Sequence, residues 1–380
     1  MVLRPRGRQL AIVVSALVAS LVLAACGGGD DDSDSNSSNV GSSADLTAFQ
    51  EQVDKGFEAA SEPQTTKPPT EGPKAQPGKL VVISCAMSAE GCARPSRAAM
   101  EAGKAIGWDT TLIDADGDPQ KMAAAVTRAQ SLGADAIALM AIDSSTIKEP
   151  LEQASEAGIY LSCFACVDSA KVYDSLIPPE GDLTKAGYTI GQAAYKLSDG
   201  NVQMIQMIDK EFEVLGLRRE GTDKFMSECQ AAGGDCEVIA QANYLITELS
   251  TKVPSITSTV VRQNPDFTVL WGSYDAGMTF MSQGISQAGI NTDAFGVSFD
   301  ANEANLDEIR DGGFQKATIG LPMQWVGYAM VDDLNRLIAG EKTVDQGVQY
   351  KLLYADNVPD SGPWDGDFDV RPDYLKVWGK

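Results

Sequence analysis

The chain has 380 residues, 43% hydrophobic, 22% charged and 7% aromatic, with 30 basic against 53 acidic side chains. That length fits two ordinary buried cores, while a formal charge of −23 excludes a nucleic-acid role, because most of the surface repels a phosphate backbone. There is no histidine, which removes Ser-His-Asp and Cys-His nucleophile chemistry, histidine-ligated zinc and the usual general base near neutral pH.

Arg4, Arg6 and Arg8 precede an apolar run over 10–25, which is shorter than the roughly 20 residues a membrane span needs. It ends in Leu23-Ala24-Ala25-Cys26, and Gly27-Gly28-Gly29 and an acidic, Ser-rich stretch follow. This resembles the lipobox of bacterial lipoproteins, in which a signal peptide (here 1–25) is cut before an acylated cysteine. Cys26 is therefore the expected lipidation site; a plain transmembrane anchor is the alternative. Residues 26–78 read as a flexible tether, with Pro63, Pro68, Pro69, Pro73 and Pro77 in its second half. Within it, Leu46, Phe49, Val53 and Phe57 recur at helical spacing and predict a short amphipathic helix, docked on the body or loose.

From Lys79 onward, strand and helix patterns alternate. Strands are expected at 80–84, 110–114, 134–140 and 158–162, and helices at 96–106, after Asp118-Pro119, and at 145–157. Asp118 suits an N-cap and Pro119 the first helical position. The Asp114–Asp118 run begins like a calcium loop, but Pro119 stands where glycine belongs and Ala125 where the closing Glu should be. After Pro178-Pro179 the rhythm restarts. Helices are expected at 184–197, 216–231, 248–262, 276–287 and 323–339, with strands at 202–208, 237–241, 267–271, 294–299 and 316–320. Apolar strands alternating with helices predict an α/β fold of two doubly wound parallel-sheet lobes.

Besides Cys26, six cysteines remain, which allow fifteen connectivities. Spacing favours three local bridges, Cys85–Cys92, Cys163–Cys166 and Cys229–Cys236, as suits an exported chain. Cys163-Phe164-Ala165-Cys166 also has the C-x-x-C redox spacing, but it ends a predicted strand rather than starting a helix.

The body resembles the type I periplasmic solute-binding proteins, in the branch similar to ribose-binding protein. The resemblance covers roughly 79–355. It is carried by Lys79-Leu80-Val81-Val82-Ile83-Ser84, Leu132-Gly133-Ala134-Asp135-Ala136-Ile137, Leu217-Arg218-Arg219-Glu220-Gly221 with Phe225, Gly296-Val297-Ser298-Phe299-Asp300 and Ala317-Thr318-Ile319-Gly320-Leu321-Pro322. It implies an N-terminal lobe (79–178 plus 321–345), a C-terminal lobe (179–320 plus 346–362), a three-strand hinge, a ligand held between the lobes and a permease partner of the ABC type. Residues 363–380 remain as a tail.

Ligand-binding candidates follow from strand ends and from the resemblance. Arg219 matches the family's arginine by its distance to Phe225, the alternative being a solvated helix residue. Asp300 ends an apolar strand, where a carboxylate needs donors. Tyr274 and Asp275 align with the family's polar pair, although Asp275 also suits a helix cap. In the first lobe Ser88, Glu90 and Arg94 surround the first strand-end loop and Asp143 ends the third strand. At the fourth strand, Cys163-Phe164-Ala165-Cys166 stands where sugar-binding relatives present an Asp-Arg pair; Phe164 suits stacking on a sugar ring, but the loss of the charged pair argues against a simple pentose or hexose. Gln324 and Trp325 follow the last crossing, offering one polar and one stacking contact, with core packing the alternative for Trp325.

The expected function is capture of a small molecule (sugar or sugar-like, or aromatic) by hinge closure and delivery to an ABC permease, outside the membrane and tethered by lipid. A ligand-sensing receptor with a membrane signalling partner is the alternative. No enzyme activity, cofactor, metal or nucleic-acid partner is expected, and the chain is expected to be a monomer.

Overall fold

The computed structural model describes residues 43–290 and 293–380; the expected signal peptide, Cys26 and the start of the tether lie outside the described residues. Helix α1 (Ser43–Ser61) forms where Phe49, Val53 and Phe57 recur every four residues and are buried as one stripe.

The first lobe is built from β1 (Lys79–Ser84), α2 (Glu90–Ile106), β2 (Asp109–Asp114), α3 (Pro119–Ser131), β3 (Ala136–Met140), α4 (Lys148–Glu156), β4 (Tyr160–Phe164) and β5 (Ser175–Ile177). Its strands lie in the order β2-β1-β3-β4-β5, all parallel. Every residue of β3 is buried, as expected for a strand covered on both faces. Asp118 caps α3 by accepting from the Gln120 backbone N–H at 2.7 Å, with Pro119 at the first helical position. Helix α2 begins six residues before the expected Ser96, with Pro95 inside it.

The chain leaves this lobe at the cis Ile177–Pro178 peptide. The second lobe holds α5 (Glu180–Leu197), β6 (Asn201–Asp209), α6 (Glu213–Ala231), β7 (Asp235–Tyr244), α7 (Val253–Gln263), β8 (Val269–Gly272), α8 (Asp275–Ala288), β9 (Phe295–Asp300), α9 (Glu303–Arg310) and β10 (Gln315–Gly320). Helix α10 (Met323–Ile338) returns to pack on α2, β4 and β5, and β11 (Lys351–Tyr354) crosses back to pair antiparallel with β10. The second sheet runs β11-β10-β9-β8-β6-β7.

The described segments on either side of the lobes pack against them. The C-terminal segment is no loose tail: α11 (Arg371–Trp378) crosses once more to the first lobe, where Trp378 stacks on Tyr328 at 5.8 Å. From Ser43 the expected tether holds the helix that the Phe49, Val53 and Phe57 spacing predicts, docked rather than loose, followed by a strap. The apolar stripe of α1 is buried on the second lobe, with Phe49 packed against Tyr195 and Phe225. Residues 64–76 then run along the crossings: Gln64 donates its backbone N–H to Asp367 at 2.7 Å, Lys67 lies 3.2 Å over the Phe368 ring, and Ala75 bonds Trp378. The prolines in this segment keep it extended, and its polar groups find fixed partners in the body.

All three local cysteine pairs are bonded, with Cα–Cα distances of 5.9 Å (Cys85–Cys92), 6.0 Å (Cys163–Cys166) and 6.1 Å (Cys229–Cys236). Cys163 lies within β4 and both partners of its bridge are fully buried, which is the wrong setting for a low-pKa attacking thiol.

Candidate functional site

The carboxyl ends of the parallel strands in both sheets face each other, the position where open α/β sheets take ligands. Between them lies a cavity of about 50 Å³. The first lobe supplies Cys85, Ala89, Gly91, Cys92, Ala141, Phe164 and Ala165; the second supplies Phe212, Val214, Leu215, Arg218, Ile246, Tyr274 and Asp300. Backbone strain gathers here. Ala141, Ala165 and Asp300 all have positive φ (51°, 51° and 110°), a region costly for residues with a Cβ.

The charged centre of the cavity is an ion pair. Arg218 donates through Nη2 to Asp300 Oδ1 at 3.0 Å and through Nη1 to the Ser273 carbonyl at 3.1 Å, and its guanidinium lies 4.7 Å from the centre of the Phe299 ring. Burial raises the Asp300 carboxyl above its ordinary range, and the Arg218 charge opposes that shift. Two glycines set the helix that carries Arg218. A Cβ on Gly187 of α5 would lie 1.8 Å from the Arg218 carbonyl oxygen, and one on Gly221 of α6 would lie 1.9 Å from that of Thr184. Only glycine at both positions lets these helices pack backbone to backbone.

Polar contacts hold the lobes together around the cavity. Asp143 accepts the Val167 backbone N–H at 2.7 Å and, across the lobes, that of Glu213 at 2.7 Å. Arg94 spans the gap and donates to the carbonyls of Asp300 (3.1 Å), Ala301 (3.0 Å) and Trp364 (2.8 Å), and pairs with Asp365 at 2.8 Å.

Residues 81–342 match the periplasmic binding protein domain family. The chain belongs to that family. No curated protein matches it. Solved periplasmic binding protein structures share its fold. A solute-binding protein of an ABC transporter from Agrobacterium vitis, bound to α-D-tagatopyranose, is 17% identical with a TM-score of 0.64, and the match covers 74% of this chain and 96% of that one. One from Bacillus halodurans with myo-inositol is 18% identical with a TM-score of 0.65, covering 75% and 96%. The XylFII–LytSN complex is 15% identical with a TM-score of 0.65, covering 74% and 100%.

In this binding protein, Phe164, Tyr274 and Asp300 of the sequence candidates line the cavity. Tyr274 donates its hydroxyl to Asp209 at 2.8 Å. Asp143 and Arg94 lie beside the cavity, with the Asp143 carboxylate and both Nη atoms of Arg94 engaged in the contacts above, while Arg94 Nε is buried with no partner among the described residues.

The remaining candidates are elsewhere, and each has a physical reason. Arg219 points outward and pairs with Asp223 at 3.1 Å. A helix turns about 100° per residue, so Arg218 rather than Arg219 shares the buried face of Val214, Leu215, Thr222 and Phe225. Ser88 and Glu90 are exposed on either side of Ala89, which is the residue of this bridged loop that lines the cavity. Asp275 lies in a closed polar core, accepting from Ser298, Gln315 (2.9 Å), Thr318 (3.0 Å) and the Asn302 backbone (3.0 Å). Gln324 bonds Glu101 at 3.1 Å on the surface, and Trp325 donates to Gln346 and Tyr374 in the core beside α11.

Sequence reasoning missed Phe212, Val214, Leu215, Arg218 and Ile246. Apolar cavity walls read as core. The buried stripe on α6 was the available signal for Arg218.

Proposed function

We propose that the protein is an extracytoplasmic solute receptor, held to the membrane by a lipid on Cys26, that captures a small molecule between its lobes and delivers it to an ABC permease. The observation that carries this reading is the cavity walled by strand-end residues of both lobes. A ligand there touches both walls only when the lobes are together, so binding shifts the population toward closure. No covalent step is called for, and the family is one of binding proteins. Cleavage before Cys26 leaves the acidic stretch between lipid and α1 as the spacer. A receptor coupled to a membrane signalling partner is the second reading; the XylFII–LytSN complex shares this fold, so the fold is compatible with assembly with a second protein.

The test is a screen of sugars, polyols, amino acids and small aromatics, with spin labels on Arg97 and Asp266, one exposed residue in each lobe. A ligand should change the interlobe distance distribution and, at a hundred times its Kd, add about 2.7 kcal/mol of stability. A ligand that stabilises the protein without moving the labels would rule out capture by closure. Cys26→Ser should abolish lipid labelling in cells.

A further inference from the structure

The walls of the cavity fit one ligand chemistry well. They are the Cys85–Cys92 disulfide, Phe164, Phe212, Leu215 and Ile246, and charged atoms reach it only at the Arg218–Asp300 pair. Arg218 spends Nη1 on the Ser273 carbonyl and Nη2 on Asp300 Oδ1. Asp300 Oδ2 is different. Among the described residues no donor bonds it, and it faces Gly91, where a Cβ would come within 2.7 Å of it. A glycine thus leaves one acceptor oxygen open in an otherwise apolar chamber.

We propose, resting on the reading of this cavity as the binding site, that the ligand is a small neutral molecule with an apolar body and a single hydroxyl, which donates to Asp300 Oδ2. An anion would be repelled by the Asp300 carboxylate, whose pairing with Arg218 leaves the couple without the net positive charge an anion needs. A cation would meet the Arg218 guanidinium. A monosaccharide or polyol would bring several hydroxyls against disulfide, Phe and Leu surfaces, where each one left unpaired carries its desolvation penalty. Size points the same way. The cavity, about 50 Å³, is smaller than the roughly 150 Å³ apolar cavity known to take benzene, so the ligand is small, and a one-ring body enters only if the lobes part.

The experiment is isothermal titration calorimetry on the full chain with cyclohexanol, cyclohexanone, D-ribose and myo-inositol. Cyclohexanol should bind. Cyclohexanone, with the same body but no donor, should bind at least about tenfold more weakly, the loss of one hydrogen bond to a charged acceptor. Leu215→Trp, which fills the chamber, should abolish cyclohexanol binding. Asp300→Asn turns the open acceptor into a donor and should shift preference toward the ketone. Should either variant fail to fold, the alcohol-to-ketone ratio of the native protein still decides. Equal binding of alcohol and ketone would overturn the hydroxyl assignment. Binding of ribose or inositol with no heat from cyclohexanol would overturn the ligand class and leave the receptor reading standing. Silence from all four would overturn the proposal, and the fate of the receptor reading would then be read from the interlobe distances in the wider screen.

Discussion

Asp143, in the loop three residues past β3 of the first lobe, accepts the backbone N–H of Glu213, the first residue of α6 in the second lobe, at 2.7 Å. A carboxylate at a helix N-terminus meets both an unsatisfied N–H and the positive end of the helix dipole. The same Glu213 side chain accepts from Ser145 Oγ, again across the lobes. Closure is therefore held by a latch beside the cavity as well as by whatever fills it.

Asp143→Ala should loosen that latch. It removes two hydrogen bonds to a charged acceptor, each worth about 1.5–3 kcal/mol, and one of them exists only in the closed form. The unliganded variant should show a longer interlobe distance and faster hydrogen exchange at the Glu213 amide. An unchanged distance together with an unchanged exchange rate would show that the bond does not restrain the lobes.

The Arg218–Asp300 pair predicts a non-additive double-mutant cycle. Both side chains are buried, so removing one partner strands the other at a cost of about 3–5 kcal/mol. Arg218→Met should therefore be strongly destabilising in urea. Adding Asp300→Asn to it should recover part of the loss, because no stranded charge remains. A double variant as unstable as the sum of the singles would mean the two residues act independently.

How legible these features were in the sequence depended on the kind of information each needs. Asp118-Pro119 announces the start of α3 by local chemistry, and the run Ala136–Met140 announces a doubly covered strand by composition. Neither depends on distant contacts. The choice between Arg218 and Arg219 needs the helix register, which adjacent arginines do not reveal. The cavity walls need more still. Phe212 and Ile246 are ordinary core residues until two lobes bring them opposite Cys85 and Phe164. Asp275 and Trp325 show the opposite failure: polar and aromatic residues after strand ends that the fold uses for its own cohesion. The docking of α1 was legible as a stripe, but the surface it covers was not.

That docking is itself testable. Phe49 packs 5.6 Å from Tyr195 and 5.5 Å from Phe225, centre to centre, on the second lobe. In proteins most helical stability comes from packing of an amphipathic face rather than from propensity, so α1 should depend on this contact. Phe49→Ala should cost about 3 kcal/mol of docking energy. Amide exchange over residues 43–61 should speed up while β6 and β8 keep their protection. Equal acceleration in β6 would mean that α1 belongs to the lobe's cooperative core and is not a docked strap.

The last prediction concerns pH, and the lack of histidine makes it sharp. Five buried carboxyls among the described residues are raised above the ordinary value of 3.8 because burial disfavours their charged form: Asp143 and Asp209 to about 6, Asp275 to about 7, and Asp300 and Asp333 in the same direction. Between about pH 4 and these values the folded chain holds protons that the unfolded chain has released. Stability is then complete below pH 4 and declines as pH rises through 6 to 7, by about 1.4 kcal/mol per unit for each group still protonated when folded. The carboxyls lowered by their partners, Asp116, Asp367 and Asp369, lose their contribution only below 3.8 and do not oppose this trend. Urea midpoints should therefore fall from pH 5.0 to 6.5 to 8.0, opposite to proteins whose paired carboxylates dominate. Asp275→Asn should flatten the upper part of that curve, since its carboxyl has the highest of the three values. Midpoints that rise toward pH 8 would mean these side chains are ionised and solvated in the native protein, and the closed polar core around Asp275 would have to open.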